Sequence, residues 1–411
     1  MKNTDREFDV IVWGATGFTG QLVAEYLVDA YGVGGDLKWA IAGRSADKLA
    51  ATANSVAGNA ADDLPQLIAN SDDVDSIAAL AEKTKVICTT VGPYALYGSV
   101  MVEACAKYGT HCCDLTGEIP WMRKMIDQHQ TAAGASGAKI VFSCGFDCIP
   151  ADLGVFFMQQ SMLTKHDMPA SEIKFRVVSN DGGVSGGTVA TMMNMMEEVK
   201  HDASIVELLA DPYALNPLNM PRGPDGPDQS GARYDTDFKQ WTGPFIMAAV
   251  DTRVVRCSNA LMKYRYGKDF RYNEAILTGD GPGGYVKALL VTLVTGVLGV
   301  TTAFGPTRNL LKSVLPSPGE GPSLETREQG SFEIELIAKH PDDAAKDLRA
   351  RVTGDKDPGY GATSKMLAES AVCLALDDLE VGGGIWTPAS AMGEKLIKRL
   401  QAKAGMTFDL I

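Results

Sequence analysis

The chain reads as an α/β protein: an N-terminal domain built on a parallel sheet, with a second α/β (α+β) domain inserted after it. Three observations carry that reading. Short apolar runs alternate with segments of helical period over roughly the first 150 residues. The alternation then gives way to strand-like patterns at Ser171 to Asn180 and Ser331 to Lys339, the mark of a more antiparallel sheet. At 411 residues the chain also exceeds what one hydrophobic core usually supports.

Taken in order, Phe8 to Trp13 is an apolar strand, closed by a glycine-rich turn that opens a helix over Gln21 to Ala30. Leu37 to Ala42 is a second buried strand and Ala46 to Ser55 a helix; Lys85 to Thr90 and Ser99 to Tyr108 repeat the pair. His111 to Leu115, Ile119 to Ala135 and Lys139 to Ser143 continue it as strand, helix, strand. Such βαβ alternation implies parallel strands with helices on both faces. A stretch with five prolines from Pro212 to Pro227 is expected to be a long loop, suited to act as a lid.

The loop Gly14-Ala15-Thr16-Gly17-Phe18-Thr19-Gly20 lies between the first strand and the first helix. A dinucleotide needs this context: glycines let the backbone approach the diphosphate, and the helix N-terminus offers N–H groups and a positive dipole end. The loop makes the N-terminal domain a Rossmann domain. Asp36 stands about twenty residues on, where an acid often holds the ribose 2′-hydroxyl, but it precedes the second strand and so sits at the wrong edge of the sheet. Gly43-Arg44-Ser45 leaves that strand, with Lys48 one turn later. Arg44 and Lys48 reach a 2′-phosphate and Ser45 donates to it, which favours NADP(H). The turn Val91-Gly92-Pro93, after the next strand, is expected to meet the nicotinamide half of the cofactor. Tyr94 and Tyr97 stack on the ring, donate a proton, or simply pack. A short-chain dehydrogenase needs Tyr-x-x-x-Lys after the fourth strand; the pair Tyr264 and Lys268 lies far downstream.

The formal net charge of −13 argues against a nucleic-acid partner, because phosphate binding draws on clustered Lys and Arg. Met1 to Asp9 is polar rather than the apolar core of a secretory signal, so a cytoplasmic location is expected. The eight cysteines sit mostly singly in apolar segments, as Cys88, Cys105 and Cys373 do, the setting of reduced core thiols. Cys112-Cys113 and Cys144-x3-Cys148 lack zinc-site spacing, and no metal is expected. Val286 to Phe304 holds nineteen residues with one charge, at the short end of what spans a bilayer, and its glycines and threonines argue against spanning. It is read either as core or homodimer packing, or as a segment that meets a membrane or lipid surface peripherally. The basic run Arg253, Arg256, Lys263, Arg265, Lys268 and Arg271 is read as a solvated face or a contact for anionic headgroups, a coenzyme A phosphate or an acyl carrier protein.

GATGFTG (14–20), AGRSADKL (42–49), VGPYALYG (91–98), DLTGE (114–118), GFDCIPADLG (145–154) and, more thinly, GGGIWTPASAMGEKLIKRL (382–400) together resemble the saccharopine dehydrogenase-like oxidoreductases, which include the trans-acting enoyl reductases. The resemblance implies an NADP-binding Rossmann domain at residues 1–150 with a C-terminal return at about 363–411. It implies a second domain for substrate or oligomerisation at 151–362. The implied chemistry is NADPH-dependent reduction of a double bond in a lipidic or polyketide (enoyl) substrate, linked to an acyl carrier protein or coenzyme A. Two other readings fit the same motifs: a lipid-associated protein that binds NADP(H) without turnover, and an imine reductase of the saccharopine type. The catalytic candidates are Tyr94, Tyr97 and Asp147, all at carboxyl-end turns; Asp147 alternatively caps the helix that starts near Pro150. Ser185-Gly186-Gly187-Thr188 either carries donors to the substrate or forms a turn.

Overall fold

A computed structural model of the chain describes residues 6–182, 186–202, 204–303 and 321–411. These divide into two compact units. The first unit runs through Ile149 and resumes over Gly359–Gly405. Its sheet has seven parallel strands: β1 (Phe8–Trp13), β2 (Trp39–Gly43), β3 (Gln66–Ile68), β4 (Thr84–Thr89), β5 (His111–Cys113), β6 (Lys139–Val141) and, from the return, β13 (Gly384–Trp386). Their order is β13-β6-β5-β4-β1-β2-β3. Val10, Ile11 and Val12 are fully buried, as expected for a central strand covered on both faces. The order reverses direction between β1 and β4, so a crevice opens at their carboxyl ends, the place where such sheets bind nucleotides.

Helices α1 (Phe18–Tyr31), α2 (Ala46–Ala57) and the return helix Thr363–Leu376 pack as one group; α3 (Val74–Lys83), α5 (Ser99–Tyr108) and α6 (Ile119–Ser136) pack as another. Polar side chains fix the return helix. Tyr26 and Tyr31 each donate to Glu369 Oε1 at 2.7 Å, and Arg399 forks onto Asp377 at 2.6 and 2.7 Å. Glu369 is fully buried, so these donors offset the cost of burying its charge.

The second unit spans Pro150–Pro358, apart from a short interruption, and takes the last residues, Met406–Ile411. Its sheet contains β7 (Glu172–Asp181), β8 (Arg233–Asp235), β9 (Gln240–Gly243), β10 (Arg271–Gly279), β11 (Ser331–Lys339), β12 (Leu348–Gly354) and β14 (Met406–Leu410), in the order β14-β12-β11-β7-β10-β9-β8. The pair β7 and β10 is parallel and the other pairs antiparallel. The final strand therefore departs from the sequence expectation: the return to the first unit stops at Gly405, and β14 closes the edge of the second sheet.

Two expectations for this unit are corrected. Arg253 and Arg256, on α10 (Ala248–Leu261), are 4% and 5% exposed, so they do not belong to a basic surface. Arg256 Nε meets Asp225 at 2.7 Å, and Arg253 pairs with Asp228. Both acids lie in or just beyond the proline-rich loop, which these buried ion pairs pin to α10 instead of leaving it free as a lid. Burial forces the pairing, because an isolated charge in the interior would cost several kcal/mol. Ser185 and Phe304 lie outside the described residues.

The apolar segment forms α11 (Gly281–Ala303). It rests on β9 and β10, with Gly284 and Ala288 buried and Val291 against Gly243, where a Cβ would come within 2.8 Å. Its outward side exposes Tyr285, Val286, Leu289, Leu290, Leu293, Val294 and Val297. No described helix is long and apolar enough to cross a membrane.

Candidate active site

Three turns gather at the carboxyl edge of the first sheet. The glycine loop leaves β1, and its first two amides are spent on the scaffold: Gly14 and Ala15 both donate to the Ala42 carbonyl, at 3.0 and 3.2 Å. Gly14 has φ +91°, and a Cβ there would lie 2.6 Å from Val91 and 2.8 Å from Thr90; only glycine suits that backbone and that space. Gly20 faces backbone as well, since its Cβ would lie 2.2 Å from the Gly14 carbonyl oxygen. Gly17 differs, because a Cβ there would meet a single atom, at 3.4 Å. The loop is thus open on the side of Thr16 to Thr19, where α1 begins. Its first intrahelical bond runs from the Gln21 N–H to the Gly17 carbonyl, so the turn before it directs N–H groups and the dipole toward an anion.

The second turn leaves β2 beside the loop: a Cβ on Gly43 would touch the Thr16 methyl at 3.4 Å. Arg44 and Lys48 are exposed here. Ser45 caps α2 by accepting from the Lys48 N–H at 3.4 Å, which leaves its hydroxyl proton for another acceptor. Asp36 is exposed in the connection before β2. Two exposed cations, without an ion-pair partner among the described residues, and a hydroxyl beside a glycine cradle fit a diphosphate with a 2′-phosphate.

The third turn, Val91-Gly92-Pro93, follows β4 and enters the short helix α4 (Tyr94–Tyr97). Tyr94 is 5% exposed; its hydroxyl donates to the Thr89 carbonyl at 3.1 Å and accepts from the Leu115 N–H at 3.4 Å. Burial pushes its pKa well above the usual tyrosine value, and its ring packs against Trp121. Tyr94 is therefore a packing residue, which corrects its placement among the proton donors. Tyr97 is 41% exposed on the same helix.

What holds this turn is a residue that motif reading passed over. Both oxygens of Glu118 accept backbone N–H groups of α4, Oε1 from Tyr94 and Oε2 from Ala95, each at 2.8 Å. Glu118 is 3% exposed. Its own N–H donates to Thr116 Oγ1 at 3.1 Å. Asp114 Oδ1 accepts from Thr116 N–H at 3.1 Å and from Ser143 N–H at 2.9 Å, and Ser143 Oγ donates to the Thr116 carbonyl at 2.7 Å. Burial pushes the Asp114 pKa up to about 7, although both N–H donors pull it down. The motif DLTGE is thus the join between the turns after β4, β5 and β6.

Asp147 follows β6, just ahead of α7 (Ile149–His166). Its carboxyl has no hydrogen-bond partner among the described residues, and burial pushes its pKa up to about 6. It does not cap α7: the Cys148 and Ile149 amides go to the Gly145 carbonyl, at 3.2 and 2.8 Å. The eight cysteines are buried and unbridged.

Comparison with known proteins agrees with this geometry. The model of the saccharopine dehydrogenase NADP binding domain matches residues 10–141. A Mycobacterium tuberculosis protein named as a candidate trans-acting enoyl reductase is 40% identical, over 100% of this chain and 99% of its own. The trans-acting enoyl reductase of Mycobacterium bovis is 36% identical over 97% of each chain. Among solved structures, apo saccharopine dehydrogenase (L-Glu forming) from Saccharomyces cerevisiae shares the fold, with a TM-score of 0.52 and 12% identity over 98% of this chain and 99% of that one. With its glycine cradle, its cationic corner after β2 and relatives matched end to end, the chain belongs to the saccharopine dehydrogenase-like family of NADP-dependent oxidoreductases, beside the trans-acting enoyl reductases.

Proposed function

We propose that the chain reduces a carbon–carbon double bond conjugated to the thioester carbonyl of a lipidic acyl substrate carried on coenzyme A or an acyl carrier protein. The observation that carries this reading is Asp147, an unpartnered carboxyl with a pKa near 6 on the edge of the sheet that forms the cofactor cradle. NADPH, when bound, supplies hydride to the carbon β to the thioester carbonyl. The backbone of Thr16 to Thr19 would hold the diphosphate, with the Gly17 amide already given to the Gly14 carbonyl; Arg44, Ser45 and Lys48 would hold the 2′-phosphate, and Val91, Gly92 and Pro93 would line the nicotinamide end. Asp147 in its protonated form delivers a proton to the α carbon, and Tyr97 lies exposed on the neighbouring helix.

NADPH oxidation in the presence of 2-enoyl thioesters of increasing chain length tests the reading. Turnover that rises with chain length supports it. Tight NADPH binding without oxidation across the panel favours a non-catalytic role, and activity confined to small amino-acid imines favours the saccharopine-type reaction. For the cofactor half, Arg44→Asp should weaken NADPH about 10–100-fold relative to NADH, the size of one or two charge-assisted hydrogen bonds. Equal effects on the two cofactors would remove Arg44 from the 2′-phosphate site.

We also infer that the outward face of α11 meets a lipid surface. Among the described residues seven large apolar side chains are exposed on it, and Tyr234, Trp241 and Tyr285 pack edge-on and tilted at its start, 5.4 and 4.6 Å between successive ring centroids. Aromatic side chains of this kind favour the headgroup level. The protein should float with zwitterionic phosphatidylcholine vesicles, and Leu293→Glu with Val294→Glu should abolish flotation. A doubled mass by analytical ultracentrifugation, without flotation, would instead make the face a homodimer interface.

A further inference from the structure

We propose that Glu118 is a positioning residue for hydride transfer, the end of a bracket through which Asp114 and Thr116 set the nicotinamide turn against the loop that carries Asp147. The inference rests on the enoyl-reductase reading for its chemistry, while the bracket itself stands on hydrogen bonds within the first unit. Three carboxyl-end turns must keep their relative positions for hydride and proton to reach adjacent carbons of one substrate. None of the three is a regular element that fixes itself. The turn after β4 enters a helix of four residues, too short to be stable on its own hydrogen bonds. Its orientation is set from outside, by the two oxygens of Glu118 on the amides of Tyr94 and Ala95.

The same chain of bonds reaches the other side. Thr116 receives the Glu118 amide on its hydroxyl and the Ser143 hydroxyl on its carbonyl. Asp114 ties the amides of Thr116 and Ser143 to a single oxygen. Ser143 has φ +62°, a conformation that strains a non-glycine residue and persists where neighbours over-determine it. Ser143 is the turn residue between β6 and Asp147. The bracket therefore spans from the helix that begins at Tyr94 to the segment that presents Asp147. With its two carboxylate oxygens on consecutive amides, Glu118 fixes the direction of this turn as well as its distance.

The test uses the full-length protein, with Glu118→Gln and Glu118→Ala. Glutamine keeps one acceptor oxygen and turns an amide NH2 toward the second N–H, so it should fall between wild type and alanine. The probes are NADPH, read by the emission of its nicotinamide on binding, and 2′,5′-ADP, which occupies the adenosine half alone. Glu118→Ala should lower kcat about 10–100-fold, change the emission of bound NADPH, and leave 2′,5′-ADP affinity within about twofold, with glutamine intermediate in each. Unchanged emission and kcat would overturn the proposal. So would an equal loss of both ligands, which would make Glu118 a structural residue. Should the alanine variant fail to fold, the glutamine variant decides by the same readouts. If wild type oxidises no NADPH with any enoyl thioester, the enoyl-reductase reading fails, and the emission and 2′,5′-ADP results still judge the bracket.

Discussion

Asp147→Asn should lower kcat for enoyl reduction by about 10²–10⁴-fold while NADPH affinity stays within about twofold, the usual range for losing a general acid. Asparagine keeps the shape and removes the titrating proton. In wild type, log(kcat/KM) should fall with rising pH above about 6, where burial has set the carboxyl, and the variant should lose that limb. The folded pKa lies above that of the unfolded chain. The protonated form is therefore the one the fold favours, and its stabilising effect, full below the unfolded value near 4, is lost as pH rises through about 6. Asp147→Asn should accordingly raise Tm relative to wild type at pH 8 and not at pH 4. A variant that keeps its rate, or loses it together with NADPH binding, would take Asp147 out of the chemistry.

Gly20→Ala should cost the fold, and Gly17→Ala should cost the ligand. A Cβ at Gly20 would stand 2.2 Å from the Gly14 carbonyl oxygen and 2.8 Å from the Ala15 Cα. Both are backbone atoms, and Gly14 cannot yield because its amide is bonded to Ala42. Overpacking of a rigid site costs about 3 kcal/mol or more, or about 6–12 °C in Tm for a unit of this size. At Gly17 the new methyl meets one atom at an ordinary distance, so Tm should move by less than about 2 °C, whereas NADPH affinity should fall about 10–100-fold as the methyl takes the space of a phosphate oxygen. Thermal melts of both variants with and without NADPH separate the two effects. Equal Tm losses would mean that the three glycines act as one structural turn.

These glycines show how far the sequence carries. Their spacing between an apolar run and a helical segment is local information, and so is Arg44 at the exit of the next strand; both were legible because the strand and the turn lie within a few residues of each other. Whether a turn residue points into the crevice or into the core is not local. Tyr94 and Tyr97 share one helical turn and one residue type, yet the first is buried by Trp121, which lies on α6, and the second is exposed. Arg253 and Arg256 read as a basic surface because their acids, Asp228 and Asp225, lie 25 and 31 residues earlier. Glu118 had a visible signal in DLTGE, but no spacing rule says that a carboxylate will cap a helix 24 residues behind it. The edges of the second sheet were missed for the same reason: β8, β9 and β14 are short, and pairing across the sheet, rather than alternation, makes them strands.

The chain's path between its two units bears on how the molecule is made. The helix Thr363–Leu376, which packs against β1, β4 and β5, and the strand β13, which covers the edge of β6, are translated more than two hundred residues after the strands they complete. The second sheet likewise waits for β14, its last-made edge, which is translated more than two hundred residues after β7. A nascent chain released to about residue 150 therefore presents a cofactor cradle whose sheet lacks part of the cover on one face and is unpaired at the β6 edge. Neither unit is a portable module that recombination could move intact, and a ribosome stalled in mid-chain would leave both incomplete at once.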